Sequence, residues 1–380
     1  MEREASDSLV GGLYVHVPFC RRKCPYCSFY SVPHSPNLEK TYIEYIRQDI
    51  DSKSRLYEKY PFFLNTFYVG GGTPSVLSLS AIKALVSMVK RKFWGKNVPT
   101  EATFELNPES STEAIFRLLK DLDFNRLSIG VQDLTAKGLK VLERPHTVQQ
   151  AIKAIWLAQK VGFKEINIDL IFGWPGQSKG DLEETLEKLD SIKELVSHVS
   201  YYELTIEEGT RFHGTYGKAG LVEDQSDQMY EYTLIIEEQL SKMGFYQYEI
   251  SNYARPGSFC QHNIGYWETR PYLGIGPRAV SFLPPKRWMN THLGSKPGVL
   301  WEEELDLEKR FREAVVIGLR MNRGVSISGL KARFGLDPIS YYGKILELLV
   351  DDGLALIDGD RLRLTRRGRM VSNQVLSNLV

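Results

Sequence analysis

The sequence predicts an α/β protein: a partial (β/α)6 barrel, then an α+β segment, then a winged-helix-like C-terminal module. Three observations carry that prediction. Short apolar, β-branched or aromatic runs alternate with longer amphipathic stretches through residues 13–204, the pattern of repeated βα units. The glycine run and the unusual polar residues fall late in those runs or just after them, on the rim where a barrel gathers its active site. Beyond residue 305 the pattern becomes helices followed by a hairpin.

In chain order, strands are expected at Leu13–Val17, Thr66–Val69, Thr103–Leu106, Arg126–Val131, Glu165–Ile171 and Val199–Leu204. Helices are expected at Leu38–Tyr60, Leu79–Phe93, Thr112–Leu122, Val148–Val161 and Asp181–Leu195, with Ser80 and Ser111 as N-caps for the second and third. Periodicity does not separate a partial barrel from a doubly wound sheet, which also binds ligands at its strand ends. The common rim favours the barrel. A helix at Gln225–Leu240, a strand-like Tyr246–Tyr253 and a turn at Pro256-Gly257 follow. The module then reads as helices Leu307–Leu319, Ser326–Phe334 and Ser340–Asp351, a hairpin Leu354–Ile357 with Arg361–Leu364, and a final helix near Arg369–Leu379. The expected divisions are a polar segment 1–12, a barrel 13–220, an extension 221–304 and a module 305–380.

At 380 residues the chain exceeds one typical domain of ~100–200 residues, and 42% hydrophobic residues suffice for a large core, which excludes a mainly disordered chain. Lys and Arg number 48 against 47 Asp and Glu, so the formal charge of +1 excludes a protein-wide footprint for nucleic acid or an anionic membrane. The arginines of the wing, Arg361, Arg363, Arg366, Arg367 and Arg369, are a local basic patch that would support a DNA-binding regulator, but no second basic region accompanies them. A docking or lid role is preferred, and no nucleic-acid partner is expected. The polar N-terminus and the lack of an apolar run near ~18 residues point to a soluble protein.

Three of the four cysteines crowd into Cys20-x-x-x-Cys24-x-x-Cys27, and Cys260 stands apart. That grouping argues for metal in a reducing, cytoplasmic compartment rather than for disulfides. Three thiolates hold a four-iron cluster with one iron left open to a ligand. A structural zinc ion wants four ligands, and His16 or His34 would have to supply the fourth. Gly70-Gly71-Gly72-Thr73-Pro74 lacks the lysine of a phosphate-binding loop but lets backbone groups approach a ligand closely. On the same rim, Glu105, Gln132 and Asp169 offer polar groups suited to hydroxyls, and Arg144 offers a planar fork suited to a carboxylate.

Together the segments Tyr14-x-His16-x-Pro18-Phe19-Cys20-x-x-x-Cys24-x-Tyr26-Cys27, Gly70 to Pro74, Glu105-x-Asn107-Pro108, Arg144-x-His146 and Asp169-Leu170-Ile171-x-Gly173 resemble radical S-adenosylmethionine (SAM) proteins of the anaerobic coproporphyrinogen III oxidase group. The resemblance implies a radical SAM barrel whose [4Fe-4S] cluster sits on Cys20, Cys24 and Cys27. It also implies S-adenosyl-L-methionine bound by Tyr14, Tyr26, Gly71, Gly72, Thr73, Glu105, Gln132, Arg144 and Asp169, with reductive cleavage to a 5′-deoxyadenosyl radical available. Within that group, coproporphyrinogen dehydrogenases carry a further cysteine two positions after the third ligand, where this sequence has Phe29, and a longer segment before the position of Tyr14. His262-Asn263-Ile264-Gly265-Tyr266-Trp267 instead is similar to the signature of a heme-chaperone branch. It implies that His262 contacts heme while Tyr266 and Trp267 offer flat surface to the porphyrin. Gly276-Pro277-Arg278-Ala279-Val280 departs from that branch, which has a histidine in this loop. The expectation is a cytoplasmic heme carrier, peripheral to the membrane at most, monomeric or homodimeric, serving heme-acceptor proteins. The rival is oxidative decarboxylation of coproporphyrinogen III.

Overall fold

Strands buried on both faces need no polar alternation, and the computed structural model shows six such strands side by side. It describes residues 10–95, 98–217 and 226–380. The strands β1 (Val10–Val17), β2 (Phe63–Gly71), β3 (Glu101–Leu106), β4 (Arg126–Gln132), β5 (Glu165–Phe172) and β6 (His198–Glu203) lie parallel in sequence order. Crossover helices include Pro36–Lys59, Leu79–Val89, Glu113–Asp121, Val148–Val161 and Lys179–Ile192. Local chemistry sets their ends. Thr147 and Gln150 form a reciprocal capping box, and Gly162, at φ 99°, ends that helix in the left-handed conformation. The expected caps Ser80 and Ser111 are each displaced: Ser78 accepts from the Ala81 amide and Thr112 from the Ile115 amide. The second helix leaves α geometry after Val89, and Lys90–Trp94 forms a π turn.

The extension is not a separate layer. Strands β7 (Tyr246–Glu249), β8 (Asn252–Ala254), β9 (Tyr272–Ile275), β10 (Val280–Leu283), β11 (Lys286–Asn290) and β12 (Val299–Glu304) join the same sheet. The order is β12-β11-β10-β9-β1-β2-β3-β4-β5-β6-β8-β7, so the later strands cover both edges of the parallel set. Residues 10–12, placed in the polar segment by the sequence, pair with β2 and β9 instead. The expected boundary at 220, and the expected helix start at Gln225, lie outside the described residues.

The C-terminal module packs its own apolar cluster, including Phe311, Val315, Leu346, Leu362, Leu364 and Leu379, around a three-stranded sheet of Val325–Ser326, Arg361–Leu364 and Ala355–Asp358. The helix expected over Ser340–Asp351 is divided at Gly343, whose φ of 45° no helix adopts, into Pro338–Tyr342 and Lys344–Asp351. The final helix is likewise two short ones, Arg366–Met370 and Ser372–Ser377. Arg366 pairs with Glu237 at 2.7 Å and Arg363 with Asp358 at 3.0 Å, so part of the wing's charge is spent within the chain. No helix among the described residues is long and apolar enough to cross a membrane.

Candidate functional site

At the C-terminal ends of the strands, the chain leaving β1 pairs Phe19–Cys20 with Val32–Pro33, closing a loop that carries Cys24 and Cys27. The glycine loop after β2 is laced to it: Gly72 N donates to Val17 O at 2.8 Å and Thr73 N to Phe19 O at 2.6 Å. A Cβ on Gly72 would stand 2.5 Å from Phe19 O and 3.0 Å from Cys20 Sγ. The glycine is therefore required by the cysteine loop itself, before any ligand arrives. Gly72→Val should lower iron incorporation and SAM affinity together; normal iron content with weakened SAM binding would show that the side chain acts on the ligand alone.

Thr73 Oγ1 donates to Cys20 Sγ at 3.7 Å, and Arg144 Nη1 donates to Cys24 Sγ at 3.1 Å. Burial pushes the Cys20 and Cys27 thiols up, and neighbouring thiols push each further in the same direction, so the three groups share one field. Neither proposed fourth zinc ligand turns toward them. His16 is hydrogen-bonded through Nδ1 with Tyr14 Oη at 3.0 Å and through Nε2 with Tyr30 O at 3.1 Å, and burial lowers its pKa to about 4. His34 Nε2 lies 3.0 Å from Glu39. Among the described residues no three His, Cys, Asp or Glu side chains converge to hold one ion. Three thiols on one short loop suit a polynuclear cluster, which spreads its ligands over several irons, better than one tetrahedral ion.

Around this loop the rim residues form a connected set. Arg144 Nη2 donates to Asn107 Oδ1 at 2.7 Å and to Gly130 O at 3.2 Å, and Asn107 Nδ2 donates to Thr73 Oγ1 at 2.9 Å. Thr73, Asn107 and Arg144 thus link the thiols of Cys20 and Cys24 across the rim. Arg144 Nε is buried with no partner, an open donor beside the thiols. Gln132 holds a positive φ of 69° at a break in the β4–β5 register, which brings its Nε2 within 2.8 Å of where a Gly130 Cβ would be. Tyr26 packs against Phe212 at 6.1 Å between ring centres, and burial raises its phenol pKa. Asn107 and Gly130 are the residues that sequence reasoning undervalued; the Asn107-Pro108 pair after β3 was the available signal.

Deeper in the barrel, Glu105 accepts from Tyr68 Oη at 2.8 Å and from Gly71 N at 3.0 Å. Burial raises its pKa to about 7, against the hydrogen bond from Tyr68, and the Asp169 charge adds to the rise. Asp169 accepts from Ser128 at 3.1 Å and Asn167 at 2.9 Å and is raised by burial as well. A carboxyl raised in the folded state binds its proton where the unfolded chain has lost it, so stability falls as pH rises from the ordinary 4.5 to about 7. Glu105→Gln should flatten that limb in the metal-free chain and recover roughly 3 kcal/mol above pH 7, read by urea unfolding. An unchanged slope would remove Glu105 from the titration.

The opposite end of the barrel is closed by the helix Gln261–Trp267. Glu101, the first residue of β3, accepts from the amides of Gln261 at 2.8 Å and His262 at 2.9 Å, and buried Cys260 lies 3.6 Å away, its thiol pushed up to about 12 by burial first. His262 is 3% exposed, with Nδ1 2.8 Å from Thr66 Oγ1 and Nε2 2.9 Å from Tyr266 Oη. Its ring stacks on Tyr68 at 4.9 Å and on Tyr14 at 6.4 Å. The space beside it is only ≈ 10 Å³. In the ligand-free chain both ring nitrogens of His262 are engaged, and only this small space adjoins them. Tyr14, expected beside the cysteine loop, stands in this interior column, tied to it through His16.

A sequence profile of the radical SAM superfamily matches residues 14–189, and one of the HemN C-terminal domain matches residues 305–371. The chain is 32% identical over 378 residues to the heme chaperone HemW of Lactococcus lactis, covering 97% of this chain and 96% of that protein. The chain belongs to the HemW family. HemW of Escherichia coli is 37% identical over 271 residues, covering 70% of this chain and 68% of that protein. Among solved structures, the E. coli coproporphyrinogen III oxidase HemN, a radical SAM enzyme, superposes with a TM-score of 0.81 at 21% identity over 98% of this chain and 90% of that one, which establishes the fold. The radical SAM family implies a [4Fe-4S] cluster and SAM, and the three thiols with their unpartnered Arg144 donor fit that pair of groups.

Proposed function

We propose that the chain is a heme chaperone, binding heme as cargo and delivering it to acceptor proteins from the cytoplasm. The observation that carries this is its similarity, over almost its whole length, to proteins named heme chaperones. Phe29, at the position where coproporphyrinogen dehydrogenases have a cysteine, and 66% exposed here, supports it. In this reading Cys20, Cys24 and Cys27 would hold the [4Fe-4S] cluster, with SAM bound on the rim beside it. Bound together, the two groups supply reductive cleavage of SAM. The residues of the chain have simpler tasks. Arg144 holds positive charge against Cys24, Asn107 fixes Arg144, and Glu105 and Asp169 present acceptors for hydroxyl groups.

The test is anaerobic reconstitution followed by parallel assays. The expected result is one heme per chain with no loss of coproporphyrinogen III. Multiple turnovers to protoporphyrinogen IX would replace this reading with the oxidase.

A further inference from the structure

We propose that His146 is a positioning residue of the SAM rim: through the hydrogen bond from its Nε2 to the Val131 carbonyl, it holds the backbone of Gln132 in the conformation from which that side chain meets SAM. This rests on the reading that SAM binds at the rim, and it gives a task to a buried ring which that reading leaves unused.

Gln132 closes β4 at φ 69°, a region that residues bearing a side chain rarely enter and keep only where their surroundings hold them. The β4–β5 register breaks between Ile129 and Gln132, so the ladder does not supply that hold. His146 does. Its Nε2 lies 3.0 Å from Val131 O, the carbonyl of the peptide bond that enters Gln132. A carbonyl only accepts, so Nε2 carries the hydrogen. The His146 side chain is 0% exposed, and solvent therefore offers the Val131 carbonyl no substitute from that side.

The ring is itself aimed by a carboxylate. Glu109 Oε2 stands 3.4 Å from His146 Nδ1, and neither atom hydrogen-bonds to any other described residue. Burial alone would raise the Glu109 carboxyl; the His146 contact and then the Arg144 charge more than offset it and pull the group below the ordinary carboxylate range. Glu109 lies in the single 3₁₀ turn Pro108–Ser110, two residues after Asn107, and His146 lies two residues after Arg144. Two braces thus join the same pair of segments. Asn107 to Arg144, at 2.7 Å, reaches the Cys24 thiol, and Glu109 to His146 reaches the end of β4. A side chain that only filled space here would be apolar, because a buried polar ring costs free energy unless its hydrogen bonds are used.

The experiment measures SAM affinity by calorimetry on the anaerobically reconstituted chain, with the iron content and melting temperature of each variant alongside. His146→Gln puts an amide nitrogen where Nε2 was and should bind SAM within about threefold of the parent. His146→Asn puts one where Nδ1 was, does not reach Val131 O, and should bind about tenfold more weakly at unchanged iron content. Both variants keep a polar side chain in the buried position, so the comparison does not depend on an emptied cavity. Gln132→Ala should also weaken binding by about tenfold, and His146→Asn combined with Gln132→Ala by no more than about threefold beyond that, because the ring acts through Gln132. Gln and Asn variants of equal affinity, or single effects that multiply to about a hundredfold, would overturn the proposal while the rim reading stands. Loss of iron in His146→Asn in step with lost SAM binding would also overturn it, by assigning the ring to the cysteine loop. A parent protein that takes up the cluster but binds no SAM would overturn both.

Discussion

Cys20→Ala, Cys24→Ala and Cys27→Ala, combined, should reduce iron and labile sulfide to background after anaerobic reconstitution and abolish the charge-transfer absorption. The three thiols share one loop, and neither His16 nor His34 turns toward them as a substitute. Soft thiolate ligation is what holds an iron–sulfur cube, so its removal leaves only oxygen and nitrogen donors of low affinity for it. The fold should survive, because the cysteines are only partly buried and stand outside the main apolar core. Elemental analysis and circular dichroism on the same sample check both halves. One equivalent of zinc without sulfide in the unsubstituted protein would overturn the cluster assignment.

His262→Ala should destabilise the heme-free chain by about 3–5 kcal/mol. The substitution empties a buried ring position and leaves the hydroxyls of Thr66 and Tyr266 without their partner. Its pH signature is specific. Burial lowers the His262 pKa from 6.5 to about 3, so its contribution is present above pH 6.5 and is lost as pH falls through that window. His16 and His198 are also lowered by burial, so the variant should show a shallower acid limb rather than none. Urea unfolding between pH 4 and 8 measures it. An unchanged stability and acid limb would show that the buried ring and its two hydrogen bonds contribute nothing to the fold.

The six parallel strands were legible to within a few residues because each is a short run rich in apolar, β-branched or aromatic residues between longer amphipathic stretches, as in β5, Glu-Ile-Asn-Ile-Asp-Leu-Ile-Phe. The cysteine loop and the rim were legible because their spacing is local and their chemistry narrow. The helix starts were not: Ser78 and Ser80 are both suitable caps, and only backbone direction decides which hydroxyl reaches the Ala81 amide. The surroundings of His262 were not legible for a related reason. Its neighbours in sequence suggest a ligand, whereas its actual partners, Thr66, Tyr68 and Tyr14, come from distant strands.

The sheet imposes an order of assembly on synthesis. Gly12 pairs with Tyr272, and Asn252 pairs with Ser200, so both flanks of the parallel set wait for residues made long after β1. Until then an emerging chain presents two bare strand edges, each a template for pairing with another molecule. Contacts of such sequence separation form slowly, and the exposed interval favours aggregation. A ribosome-bound fragment ending near residue 217 should therefore be protease-sensitive and prone to associate, whereas release of the segment through β9 pairs first the β6 flank and then the β1 flank.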